Sequence, residues 1–331
     1  MMNNQQNQAL ASAGTQGGAI SAGDYLARMK QKEIHTSGSM IMTVNDTLRV
    51  ARRKPQAEDL WNGMVFEREC TVIFSDSNVG KSILAVQIGV SIAKSGRNVL
   101  YMDYEMSDLQ FAARYTNPYN KQFYHFPDNF FRAEQHADAL QVDPIENIKE
   151  CIGAVAADVV IIDNITWLAN ETESGDVAGR LMMELIQLKR KAGLTLIIIA
   201  HTPKRPLGQI LTQNDLGGSK KIMNFVDCAI GLAKCVFKPE MRYLKNIKNR
   251  SASIVYGSNH VWLCELVTTE NFCHFAFTGT ADELQVLKPY DAKREQLEAD
   301  VKRMHNQGLT QRFIAQQLGV GLATVNRILN G

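Results

Sequence analysis

The sequence predicts an α/β chain with a mainly parallel sheet, antiparallel strands toward the C-terminal side and a small all-α unit at the end. Three observations carry that expectation. Short apolar runs rich in β-branched residues ("CTVIF", "NVLYMDYE", "VVIIDN", "LTLIIIAH") alternate with helix-like segments such as "SILAVQIGVSIAKSG" and "VAGRLMMELIQLKRKAG". Strands apolar on both faces suit a parallel sheet covered by helices. From "MRYLKNIKN" through "ASIVYG" and "HVWLCELV" to "FCHFAFTG" the pattern alternates, as antiparallel strands finishing that sheet would. At "GTADELQVLKPYDAK" the β pattern stops, and the remaining residues are helical in character.

The 331 residues, 45% hydrophobic and 21% charged, suffice for one large domain with a sizeable core plus a small one. No apolar run approaches the roughly 20 residues that cross a bilayer, and "MMNNQQNQALASAGTQGGAISAG" lacks the basic end and apolar stretch of a secretory signal. A cytoplasmic protein is expected. Cys70, Cys151, Cys228, Cys235, Cys264 and Cys273 form no CxxC pair, which argues for reduced thiols and against a zinc knuckle or disulfide framework. Net charge is +2, but residues 189–250 hold thirteen Lys and Arg against three acids. That local +10 suggests a polyanion such as nucleic acid, with a solvated basic face as the plainer alternative.

Taken in order, residues 1–42 are rich in Asn, Gln, Ala, Gly and Ser and bury too little to offset ordering entropy, so a disordered arm is expected, with "DYLARMKQ" a short helix in it. Residues 43–280 then form the α/β domain, 281–292 a linker and 293–331 the helical unit. Within the α/β domain, "TVIFSDSNVGKSILAV" has the order of a phosphate-binding loop: strand, turn, then helix. The backbone of Ser77, Asn78, Val79, Gly80, Lys81, Ser82 and Ile83 would cradle phosphates, with Lys81 reaching the β and γ groups and Ser82 a magnesium ligand. Ser75 stands where the usual pattern has glycine, and is expected to strain the loop without removing its chemistry.

Two carboxylates accompany the loop. Asp163 ends the apolar strand "VVIID", where it suits magnesium held beside Ser82, although an aspartate can also simply end a buried strand. Glu105 ends the strand "VLYMDYE", where a carboxylate can deprotonate the attacking water; Asp103 is its local rival. ATP and Mg2+ are therefore the expected ligands.

On these residues the chain resembles the bacterial replicative helicases of the DnaB type. "DYEMSDLQFAARY" is similar to their glutamate motif, which implies that Glu105 is the catalytic base. "LTLIIIAHTPKR" resembles the strand that ends in a γ-phosphate sensor, here His201, as in the RepA-like helicases of plasmids and mobile elements. "DLGGSKKIMNFVDCAIGL" is similar to the DNA-facing loop, so that Lys220 and Lys221, with Lys204 and Arg205 at the start of the same basic stretch, would meet DNA. "LKNIKNRSA" resembles the strand bearing a Lys-x-Arg finger, here Lys248 and Arg250, that enters a neighbour's site. The resemblance covers residues 60–266 and implies a RecA-like core in an oligomer, a ring or hexamer. Ser75, and Glu69 where relatives often have glycine, depart from the pattern, and about 60 residues precede the core where replicative members carry a helical domain. On their own, His201 reads equally as a strand-end histidine, and Lys248 and Arg250 as edge-strand surface charges.

The last segment, "KREQLEADVKRMHNQGLTQRFIAQQLGVGLATVNRILNG", reads as three short helices. Leu297, Val301 and Met304 recur at helical spacing, Gly308 ends the first helix, Thr310 caps the second and Gly319 turns into the third. It resembles the helix-turn-helix of resolvase-type DNA-binding domains. By that match Thr324, Asn326 and Arg327 lie near DNA, while Ile314, Ala315, Leu318, Val325 and Ile328 pack inside. A helical bundle for protein contacts is the alternative. Six Lys and Arg against four acids in residues 291–331 make it only mildly basic. The whole implies an ATP-dependent motor acting on DNA; an ATP-switched initiator or regulator without unwinding, and a recombinase-like filament former, remain open.

Overall fold

The computed structural model of the protein describes residues 34–134, 142–165, 175–202, 206, 208–216, 220–288 and 292–330, with the backbone alone at 34–35, 175–178, 220–221 and 292–295. The helix expected at residues 24–31 lies outside them. Residues 1–56 and 57–331 form two compact units. In the first, β1 (Ile34–His35) pairs antiparallel with β2 (Met40–Ile41). Helix α1 (Val44–Arg53) starts where the Thr43 hydroxyl accepts the Asp46 N–H at 3.1 Å, and Asp46 in its first turn and Arg52 and Arg53 in its last suit the helix dipole.

The second unit opens with a ribbon of β3 (Asp59–Trp61) and β4 (Val65–Phe66). It then runs β5 (Cys70–Ser75), α2 (Lys81–Lys94), β6 (Val99–Asp103), α3 (Asp108–Arg114), β7 (Phe130–Glu134), α4 (Pro144–Val155), β8 (Val159–Asp163), α5 (Gly175–Ala192) and β9 (Thr195–His201). After these come α6 (Lys220–Phe225), β10 (Cys228–Lys234), β11 (Met241–Asn249), β12 (Val261–Thr269), β13 (Phe272–Ala281) and α7 (Glu283–Val286). Strands β5 to β13 make one sheet in the order β13-β12-β11-β10-β5-β9-β8-β6-β7. Neighbours from β10 to β7 are parallel, and those from β10 to β13 antiparallel. The expected α/β architecture is therefore present.

Alternation along the central strands explains why the sheet is covered on both sides. Val72, Phe74, Met102, Ile162 and Ile198 face a core with Ile145 and Ile148 of α4 and Leu181, Met182 and Leu185 of α5. Ile73, Tyr101, Ile161, Ile197 and Ile199 face the other, with Leu84, Ile88 and Ile92 of α2. Each such side chain contributes roughly 1.5–3 kcal/mol on burial. Helix α2 lies close because Gly89 has no side chain: a Cβ there would stand 2.6 Å from Phe130 and 2.8 Å from Ile161. On its other side Gln87 bonds the backbone of Phe275 twice, Nε2 donating to the carbonyl and Oε1 accepting the N–H, both at 2.9 Å. This clamps β13 over the helix.

"ASIVYG", expected as a strand, is not one. The Asn249 Oδ1 accepts the N–H groups of Ser251 and Ala252 at 3.1 and 3.0 Å, which diverts the backbone from the ladder as β11 ends. Ile254 and Val255 are left exposed.

A buried polar cluster fixes the segment downstream of β9. Lys245 of β11 donates to Glu283 Oε2 at 2.5 Å and to the Leu211 carbonyl at 2.7 Å, while Glu283 Oε1 accepts the Leu211 N–H at 2.7 Å and the Tyr243 hydroxyl at 3.1 Å. Both charged groups are buried.

The C-terminal helices α8 (Ala292–Asn306), α9 (Gln311–Leu318) and α10 (Leu322–Asn330) have their own small core of Val301, Ile314, Ala315 and Val325, flanked by Leu297, Met304, Leu318 and Ile328. Thr310 caps α9 by accepting the Phe313 N–H at 3.4 Å, and Gly319 closes it in the left-handed conformation at φ 65°. Among the described residues no helix is long and apolar enough to cross a membrane.

Candidate nucleotide and catalytic site

The site lies at the carboxyl ends of the parallel strands, where open α/β sheets bind ligands. Strand β9 runs between β5 and β8, so its last residue, His201, sits opposite Ser75 and two residues beyond the level of Asp163. Three sequence-distant segments thereby converge on one point.

Ser75 does not strain the loop. It is the buried last residue of β5, and its hydroxyl donates to the Asp76 carbonyl at 2.9 Å. The left-handed turns fall later, at Asn78 (φ 60°) and Gly80 (φ 115°). Asparagine tolerates that conformation, whereas at Gly80 a Cβ would also stand 2.6 Å from the ring of Phe275. Phe275 thus makes the glycine obligatory from outside the loop, in addition to any ligand within it. Val79 and Ile83 are buried in the core under α2, so only their backbone can serve a ligand, while Ser77 and Asn78 are exposed.

Lys81, in the first turn of α2, is buried, with Nζ donating to the carbonyls of Ser75 and Asp76 at 3.2 Å each and lying 3.2 Å from His201 Nδ1. Burial pulls its pKa down, while Glu105, Asp163 and Asp76 oppose that fall. With the ammonium donating to Nδ1, the second ring nitrogen carries the proton: Nε2 donates to Glu105 Oε1 at 2.9 Å. The same carboxylate oxygen accepts a short hydrogen bond from the Asn164 amide. These contacts, His201 first, hold the Glu105 carboxyl below its ordinary value, so the group stays ionised.

Strand β6 ends at Asp103, two residues before Glu105, and this separates the two rivals. The Asp103 carboxylate is spent on structure: Oδ1 accepts the N–H groups of Glu105 and Met106 at 3.2 and 2.9 Å, and Oδ2 accepts Arg132 at 2.9 Å. Asp103 shapes the turn that presents Glu105.

Asp163 is fully buried, and its Oδ2 accepts the Tyr101 hydroxyl at 2.6 Å. Its Oδ1 accepts no hydrogen bond, and the nearby Ser82 hydroxyl only moderates the charge. Burial pushes the carboxyl up to about 6, against the pull of Ser82 and Tyr101. A buried carboxylate oxygen without a donor, beside a serine hydroxyl at the start of a helix, fits a magnesium ion carried in with a nucleotide.

Lys248 and Arg250 are not brought to this site. The pairing of Cys228 with Asn249 and with Thr71 puts them at the opposite end of the sheet from the loop. There Lys248 donates to the Met223 carbonyl at 2.6 Å, and Arg250 to Asp227 Oδ1 at 3.3 Å and the Asn224 carbonyl at 3.2 Å. Burial opposes ionisation of Asp227, but the Cys70 N–H, Lys189 and Arg250 outweigh it and hold the carboxyl below its ordinary value. Lys204 and Arg205 lie outside the described residues, and Lys220 and Lys221 are described by backbone only, at the start of α6. On α10, Asn326 and Arg327 are exposed and Thr324 is half-buried.

The residues missing from the expectation are Tyr101, Asn164 and Phe275. Asn164 directly follows Asp163, and polarity beside a strand-end acid was its only signal. Tyr101 and Phe275 look like ordinary core aromatics, and only tertiary contact distinguishes them.

Among curated proteins, the chain is 26% identical over 195 residues to the DNA repair protein RadA of Chlamydia pneumoniae, covering 57% of this chain and 38% of that protein. It is 23% identical over 243 residues to the protein of that name from Treponema pallidum, covering 71% and 48%. The chain thus spans less than half the length of the curated relatives it matches. Among solved structures it is similar to a KaiC-like protein of Pyrococcus horikoshii, at 15% identity and a TM-score of 0.47, covering 64% of this chain and 91% of that one. Residues 36–206, more than half of the chain, match the family model described as an AAA domain, and the chain belongs to that family.

Proposed function

We propose that the protein is an oligomeric motor that hydrolyses ATP while moving single-stranded DNA, in the manner of the RepA-like helicases. The observation that carries this is the Lys81–His201–Glu105 chain beside the partnerless oxygen of Asp163. Lys81 turns from the Ser75 and Asp76 carbonyls to the β and γ phosphates, and the N–H groups of residues 77–83 complete the cradle. Ser82 and Asp163 would hold magnesium, which would supply positive charge beside the phosphates. Glu105, kept ionised and aimed by His201 and Asn164, accepts a proton from water as its oxygen bonds to the γ-phosphorus and the bond to the ADP oxygen breaks. ADP and phosphate leave, and the proton passes from Glu105 to solvent.

His201 is the γ-phosphate sensor, because moving Lys81 onto a phosphate removes the partner of Nδ1 at the head of the segment 202–221. Arg250 and Lys248, held away from their own site, suit a neighbour's site in a ring, where an arginine finger is worth about 10³–10⁵ in rate. DNA as the track is supported by the +10 charge of residues 189–250 and by the relatives' description as DNA repair proteins. The domain limits proposed from the sequence are 43–280 for the ATPase, extended by α7 because Glu283 and Val286 are buried with the sheet, and 293–331 for a helix-turn-helix.

A second reading, an ATP-switched initiator or regulator, is favoured by that three-helix unit, whose Asn326 and Arg327 are exposed and would meet duplex DNA if it docks as a helix-turn-helix. ATP turnover with and without single-stranded DNA, together with displacement of an annealed strand, separates the two. Stimulated turnover with displacement supports the motor. Sequence-specific duplex binding with neither effect supports the regulator and ends the motor reading.

A further inference from the structure

Between α3 and β7 the chain makes a hairpin that the nucleotide site does not use. Thr116 and Phe123 bridge antiparallel, Tyr124 donates its N–H to the Tyr115 carbonyl at 2.8 Å, and the Asn117 N–H reaches the Gln122 carbonyl at 2.7 Å. The tip is tied by its own amides: Asn117 Oδ1 accepts the N–H of Tyr119 at 2.9 Å, and Asn120 Oδ1 accepts that of Gln122 at 3.0 Å. Its base is aromatic and packed, with Tyr115 and Tyr124 lying 5.6 and 4.5 Å from the Phe272 ring and 5.1 and 4.9 Å from Phe126. The tip is the reverse: Tyr119 is 93% exposed and Phe123, its ring 5.0 Å from that of His125 and tilted to it by 49°, is 60% exposed.

Two uncovered rings on a packed base leave π-faces open to a ligand. The chemistry around the rings selects one. From Leu109 to Pro127 the chain holds Arg114 and Lys121 and no acid, Asp108 and Asp128 lying just outside. The residues between the rings are amides and an exposed lysine, not a continuous apolar patch, which disfavours a protein groove. Ring faces interleaved with cations and amides are how single strands are bound without sequence preference: bases stack and the backbone meets positive charge. We propose that the 115–126 hairpin is a stacking platform for single-stranded nucleic acid, with Tyr119 and Phe123 receiving bases and Lys121 a phosphate. Helix α3 joins it directly to the turn carrying Glu105. The inference rests on the DNA-acting reading above and adds a contact site to it.

The test is fluorescence anisotropy of a labelled oligothymidylate with the full chain, for the intact protein and for Tyr119→Ala/Phe123→Ala, with sedimentation and unstimulated ATP turnover measured alongside. The platform predicts at least about tenfold weaker binding by the double variant, unchanged sedimentation and basal turnover, and recovery in Tyr119→Trp, whose added fluorescence the oligonucleotide quenches. Equal binding by intact and double-variant protein overturns the platform and leaves the DNA reading standing. No binding by the intact protein overturns both. Loss of binding accompanied by dissociation into smaller species makes the hairpin a subunit contact and also overturns the platform.

Discussion

Replacing Asp163 by asparagine should make the metal-free protein more stable and, in the same change, deaf to magnesium-ATP. In the folded chain the Asp163 carboxylate is buried with one oxygen unpartnered, and its pKa rises from 3.8 to about 6. That rise of roughly two units is worth about 3 kcal/mol against the folded state at neutral pH. Asparagine keeps an acceptor for the Tyr101 hydroxyl but buries two amide hydrogens, so the net gain should be about 1–3 kcal/mol, several degrees in Tm. The pH dependence has a definite sign. Between about pH 4 and 6 the folded state holds a proton that the unfolded chain has released, so this group's contribution to stability is present in acid and lost as pH rises through about 6. The variant lacks that term, and its advantage should grow across this window and level off above it. Thermal denaturation in EDTA from pH 4 to 8, repeated with magnesium-ATP at about 100 times its Kd, measures both effects. The intact protein should gain about 2.7 kcal/mol from the ligand and the variant far less. A variant no more stable than the intact protein above pH 6, or one with the full ligand response, would refute the reasoning.

Three further outcomes rest on other contacts of the molecule. Gly80→Ala should cost roughly 2–4 kcal/mol through its φ of 115° and its clash with Phe275, and Phe275→Leu should return only the steric part, as denaturant titration of the single and double variants would show. Lys245→Met strands the Glu283 carboxylate and should cost about 3–5 kcal/mol; adding Glu283→Gln should recover much of it, and if the two losses simply add, the pair is not acting as a pair. If Arg250 serves a neighbour's site as proposed, mixing Arg250→Ala subunits with intact ones should depress ATP turnover more than dilution alone. A strictly proportional loss would contradict a shared site.

The parts of this molecule that were legible in its sequence are those written in local pattern. The apolar runs around Val72, Ile161 and Ile198 alternate between two cores because both sheet faces are covered, and the loop at Gly80-Lys81-Ser82 is contiguous. The motif singled out Glu105 as a carboxylate near the loop, but its place beyond the strand end, on a turn held by Asp103, could not be read from alternation. "ASIVYG" misled because its β-branched residues look like a strand, while the deciding interaction is a side-chain amide of Asn249 competing for the backbone. Tyr101, Asn164, Phe275 and the Lys245–Glu283 pair were illegible for a common reason. Each acts on a residue dozens of positions away, through a strand order that the sequence does not state.

In the proposed mechanism Lys81 grips the triphosphate and Glu105 activates the water that attacks it. Equilibrium binding of magnesium-ATP, measured beside single-turnover hydrolysis for Lys81→Ala and Glu105→Gln, tests it most directly. Lys81→Ala should lose binding, while Glu105→Gln should bind as the intact protein does yet turn over at least about 10²-fold more slowly. Undiminished hydrolysis by Glu105→Gln, or undiminished affinity in Lys81→Ala, would contradict it.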